Sequence, residues 1–106
     1  MHPNSELMFN KYALPHFKAG MSVLEVGPSM GSRTYRSQLP EHDYHYADIT
    51  NKNKGPGMIN MSDGVTIDAP DREFDIVFSG QVLEHVLRPW LWVPELARVT
   101  KTILII

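Results

Sequence analysis

The sequence predicts an α/β domain in three layers, with a mostly parallel sheet of about five strands between helices. Two observations predict it. Strand-like and helix-like segments alternate at the spacing of βαβ units. The final run, Ile103-Leu104-Ile105-Ile106, is apolar at every position, which is how a strand covered on both faces reads. Right-handed crossovers then leave few ways to connect the strands. The 106 residues suffice for one domain, with an N-terminal helix over 4–17 and a core over 20–106.

Each element has a local reason. Residues 4–17 read as a helix: Asn4 or Ser5 can cap it, Glu6 sits in its first turn and Pro15 limits its end. Ser22–Val26, rich in β-branched and aliphatic residues, is the first strand. Gly27 to Ser32 is a turn, and 33–39 makes about two helical turns before Pro40 stops it. Asp43–Asp48 is the second strand, with Tyr44 and Tyr46 on one face and His45 on the other. A polar loop over 51–57 leads to a short third strand, Met58–Met61, and 62–73 is mostly loop. Phe74–Ser79 is the fourth strand. A helix follows between Val82 and Thr100, with Pro94 opening its last part and Leu96 and Val99 facing inward. Residues 103–106 form the fifth strand.

Composition excludes several functions. Ten basic and twelve acidic residues give a net charge of −2 with no basic stripe, so no nucleic-acid surface is expected. The absence of cysteine excludes disulfides, thiolate metal sites and cysteine nucleophiles. The start, Met1 to Glu6, has no apolar stretch of the signal-peptide kind. No run approaches the ~20 apolar residues of a membrane span. The expected setting is the cytoplasm, without membrane attachment.

The chemistry centres on Val23-Leu24-Glu25-Val26-Gly27-Pro28-Ser29-Met30-Gly31. A strand runs into a tight turn that opens a helix. Gly27 and Gly31 let backbone approach a ligand with no Cβ in the way. The helix start offers free N–H groups to an anionic group. Asp48 ends the next strand, twenty-one positions after Gly27. An acid about 20 residues on accepts hydrogen bonds from ribose hydroxyls in nucleotide-binding βαβ units. Together these features point to a nucleoside-containing ligand. A dinucleotide fingerprint has glycines where this chain has Gly27, Ser29 and Ser32, and the acidic Glu25 is foreign to it, so a nicotinamide oxidoreductase is disfavoured.

Leu24 to Gly31 resembles the glycine-rich first motif of class I, type 11-like methyltransferases, which use S-adenosylmethionine. Glu25, Gly27 and Gly31 match that motif, and Ser29 replaces its middle glycine. Phe74 to Val86 is similar to the family's fourth-strand motif and is the most family-specific stretch. Glu95-Leu96-Ala97-Arg98-Val99 resembles the helix before the fifth strand. Thr100-Lys101-Thr102 departs from the Lys-Pro-Gly-Gly that usually follows. The resemblance covers roughly residues 20 to 106. It implies a Rossmann-like sandwich with strand order 3-2-1-4-5, lacking strands 6 and 7. It also implies S-adenosylmethionine as cofactor and methyl transfer to a small molecule. By resemblance Asp48 binds the ribose, Ile49 lies against the adenine, Asp63 contacts the adenine amino group, and Glu25 lies near the methionine part. Ser79 and Gln81, at the end of the fourth strand, are expected at the ligand.

Simpler readings stand beside these. Glu25 can instead organise the turn by accepting backbone N–H bonds. Asp68 and Asp71 compete with Asp63. His85 is a candidate general base, but a histidine there also fits a pocket-lining role, so the catalytic residue is unassigned. His42 and His45, three apart on a strand, face opposite sides and make a poor metal pair. Trp90 and Trp92 suit the core or a subunit contact better than a substrate platform. The strand at 103–106 would form an apolar edge, a pairing hazard unless further C-terminal chain or a second copy covers it. The alternative function is a non-catalytic binding module that keeps the fold.

Overall fold

The sheet consists of β1 (Ser22–Val26), β2 (Asp43–Asp48), β3 (Met58–Asn60), β4 (Phe74–Phe78) and β5 (Thr100–Ile105). Their spatial order is β3-β2-β1-β4-β5, and every neighbouring pair is parallel, as the sequence predicts. The computed structural model describes residues 3–27, 39–48, 57–61, 64–80 and 82–106. The turn and helix expected over 28–38 therefore lie outside the described residues, as does most of the 51–57 loop.

β1 sits centrally because both of its faces are buried. Leu24 and Val26 join Ala47, Val77, Trp92, Leu96 and Val99 in one core cluster. Val23 joins Phe9, Ala13, Phe17, Ile76 and Phe78 in the other. Alternation of side chains along each strand feeds these two layers. The second layer is partly an aromatic cluster: the rings of Phe9 and Phe17 each lie within 6 Å of Phe78, at 5.7 and 5.5 Å. β1 and β4 are also clasped at both ends. Asp75 accepts from the N–H and hydroxyl of Ser22, and Ser79 Oγ donates to the Val26 carbonyl at 2.8 Å.

The N-terminal segment changes pitch as it runs. α1 (Pro3–Met8) passes into a π-helical turn at Phe9–Ala13 and then a 3-10 turn at Leu14–His16. Pro15 is tolerated at the start of that last turn, where its missing N–H has no partner to lose.

The helix α2 (Pro89–Val99) corrects one expectation. Pro89 opens it, and Pro94 lies inside it rather than at the start of its last part. An interior proline removes one helical hydrogen bond, that to the carbonyl four residues earlier. Packing offsets the loss: Trp92, Leu96 and Val99 are buried on the sheet-facing side. The two tryptophans separate, with Trp92 in the core at 2% exposed and Trp90 at the surface at 68%. β5 begins at Thr100, three residues earlier than expected, and follows α2 directly. Thr100 is already extended, and its Oγ donates to the Leu96 carbonyl at 2.7 Å, closing the helix end. Ile103 and Ile105 pack on one layer and Leu104 on the other.

Candidate functional site

The carboxyl ends of β1, β2 and β4 come together around Gly27. Its φ is +71°, in the left-handed region that glycine adopts without a side-chain penalty. Its N–H donates to the Ala47 carbonyl at 2.8 Å. That bond places the bend after β1 directly beside Asp48, the last residue of β2. A Cβ on Gly27 would lie 2.7 Å from Val82 Cγ2, so the chain beyond β4 packs against the bend. Ser79 ties the other side of the bend through its bond to Val26.

Glu25 is buried at 2% exposed, on the face of β1 that also carries Val23. Tyr44 Oη donates to Glu25 Oε1 at 2.8 Å. Tyr44 reaches it because β1 and β2 pair with Val23 opposite Tyr44 and Glu25 opposite Tyr46. Tyr44 and Tyr46 stack with ring centroids 6.1 Å apart, and His45 packs on Phe74 across the sheet, as the two-residue repeat predicts. Asp48 is half-buried and lies opposite Asn60 of β3. Two carboxylates thus flank one glycine bend at the carboxyl edge of a parallel sheet, where ligands of such folds bind.

Glu25, Gly27, Asp48 and Ser79 are therefore brought together. Ser29, Gly31, Ile49, Asp63 and Gln81 lie outside the described residues. His85 ends a short 3-10 turn after β4 and is exposed. Asp43 lies 3.2 Å from His45, and His42 Nδ1 is 2.6 Å from the Pro40 carbonyl. Among the described residues no group of three or more histidines and carboxylates is arranged to hold a metal ion.

Sequence reasoning missed Tyr44 as the partner of Glu25, and it missed a latch on the β3 side. Arg98 donates to Glu95, to Asp71 and to the Ile67 carbonyl, at 2.7–2.9 Å. Glu95 also accepts from the Ile67 N–H at 2.8 Å. The pair holds both backbone groups of Ile67, and the Asp68 N–H donates back to Asn60 at the end of β3. The hydrogen bonds to Glu95 and Asp71 raise the Arg98 pKa well above its ordinary range. The signal available was the three-residue spacing of Glu95 and Arg98 on a helix, which puts them on one face.

A family model described as "Methyltransferase domain" matches residues 20–103. This chain belongs to that methyltransferase family. It is 24% identical to a SAM-dependent methyltransferase of Aquifex aeolicus whose crystal structure superposes with a TM-score of 0.66. That match covers 96% of this chain and 62% of the Aquifex chain, and it shows the shared fold. Two proteins of Mycobacterium bovis strains, each named an uncharacterized methyltransferase, are 44% identical over 46 residues. The matched stretch is 43% of this chain but 18% of each mycobacterial methyltransferase, so the likeness spans a small part of their length. The fold of this methyltransferase domain is the Rossmann-like arrangement that the glycine turn and strand pattern predict.

Proposed function

We propose that this domain binds S-adenosylmethionine across the carboxyl ends of β1 and β2 and transfers its methyl group to a small-molecule acceptor. The observation that carries the reading is the bend at Gly27, hydrogen-bonded to Ala47 and flanked by the carboxylates of Glu25 and Asp48. The donor set fits the group: ribose hydroxyls and an ammonium are hydrogen-bond donors, and carboxylates accept from both. Asp48 would hold the ribose, and Glu25, fixed by Tyr44, would face the amino-acid part. When bound, the sulfonium supplies an electrophilic methyl group. The acceptor's lone pair forms the new bond to carbon while the carbon–sulfur bond breaks and its electrons stay on sulfur. The protein's part is to orient the acceptor in line and exclude water. Ser79 keeps the ends of β4 and β1 together for that purpose.

The test is calorimetric titration with S-adenosylhomocysteine. Binding to the unaltered chain is expected, and Asp48→Ala should weaken it at least tenfold. Equal affinity in the variant overturns the ribose assignment, and binding of NAD instead overturns the cofactor. One observation favours a second reading, a module that binds the nucleoside without turnover. The family's turn before β5 is replaced by a helix running straight into the strand. Binding with no label transferred from methyl-labelled S-adenosylmethionine to any of a panel of acceptors would support the module.

A further inference from the structure

A cleft of about 380 Å³ opens between the N-terminal helical segment and the ends of β4 and β5. That is within the range of small-molecule sites. Met8, Phe9, Ala13, Phe78, Ile105 and Ile106 give it an apolar lining. Asn4 and Tyr12 contribute an amide and a phenol, and Ser79-Gly80 forms the wall at the end of β4. None of the described residues lining it carries a charge. Resting on the methyl-transfer reading, we infer that this cleft is the acceptor pocket and that the acceptor is an uncharged, largely apolar molecule with one or two hydrogen-bonding groups.

Three features carry the inference. The first is position. Ser79 lines the cleft and also bonds to the carbonyl of Val26, the residue immediately before the glycine bend. A molecule in the cleft is therefore one residue's width from the site flanked by Glu25 and Asp48. The second is chemistry. An ionised acceptor entering this lining would give up its hydration with no opposite charge to replace it, whereas an apolar body gains by leaving water. Phosphorylated sugars, nucleotides and acidic peptides are excluded on that ground. The third is access. Met8 and Tyr12 are 59% and 58% exposed, so two cleft-lining side chains stand at a mouth open to solvent. The π-helical turn at Phe9–Ala13, a wider form often found at functional sites, presents Phe9, Tyr12 and Ala13 to the cleft. The ammonium of Lys11 lies over the Tyr12 ring, 5.2 Å from its centroid, and Lys11 is not part of the lining.

The test uses the full chain and two probes of matched shape, 2-naphthol and 2-naphthoate, with binding followed by ligand-observed NMR. Naphthol should bind at least tenfold more tightly than the anion. Met8→Asp, an exposed position at the mouth, should weaken naphthol binding at least tenfold. Ile106→Asp, on the opposite wall, should do the same and serves if Met8→Asp fails to fold. Equal binding of the two probes, or naphthol affinity unchanged in a folded variant, overturns the inference. S-adenosylhomocysteine binding is measured on the same samples and should be unaltered by either variant. Its absence from the unaltered chain would sink the methyl-transfer reading separately, leaving the probe result to judge the cleft.

Discussion

Gly27 holds a conformation that an L side chain adopts only at a cost, and the space where a Cβ would stand is taken by Val82. The left-handed backbone costs about 1–2 kcal/mol for a non-glycine residue, before the contact is relieved. Gly27→Ala is therefore expected to lower stability by about 1–3 kcal/mol, read from urea unfolding. An unchanged midpoint would show that the bend relaxes freely. Glu25 illustrates the other residue-scale constraint. A buried carboxylate requires hydrogen-bond donors, and the Tyr44 hydroxyl is one of them. Neither residue acts in isolation: the glycine sets where the bend goes, and the tyrosine sets where the carboxylate stays.

At the scale of elements, α2 is attached to the sheet by packing and to the 64–73 loop by polar contacts. Trp92 and Trp90 give a direct comparison on one helix. Trp92→Ala should cost about 3–5 kcal/mol, because it empties a core position, while Trp90→Ala should stay within about 0.5 kcal/mol. Equal effects in thermal unfolding would contradict the assigned faces. The latch is tested by Glu95→Ala, which leaves the buried Ile67 N–H without that acceptor. A loss of about 1–3 kcal/mol is expected, with faster amide exchange confined to 64–73. Uniform exchange across the chain would mean the contact is not local. Arg98, one-third exposed, holds its proton more tightly in the fold than outside it. A raised pKa contributes stability that is present below the unfolded value and lost only as pH rises past the folded one. That window lies above the ordinary arginine range, so the latch does not weaken through Arg98 at working pH.

For the whole molecule, the sheet is covered on one face by α2 and on the other by the N-terminal segment, and the proposed cofactor site lies on its carboxyl edge. A ligand that binds there and only to the folded chain raises stability by mass action. At one hundred times its dissociation constant, S-adenosylhomocysteine should add about 2.7 kcal/mol. For a domain of this size that corresponds to roughly 10–20 °C in Tm. A scan showing no shift at saturation, with binding independently confirmed, would mean that the unfolded chain binds equally well.

The sequence alone determined the class of the fold and the place of the bend, because these depend on local properties. Alternating elements, the apolar final run, Gly27 after a strand and Asp48 at the end of the next are all readable within short windows. The strand order followed from the family resemblance. Tertiary structure decided what depends on register and on contacts distant in sequence. Tyr44 meets Glu25 only because β1 and β2 pair in one register, and nothing in either segment states it. Trp90 and Trp92 look alike in the sequence, and the face that α2 turns to the sheet separates them. Pro94 reads as a helix start, but sheet-facing packing carries the helix through it. The cleft joins residues from the first fifteen positions to the last two, so no window along the chain contains it.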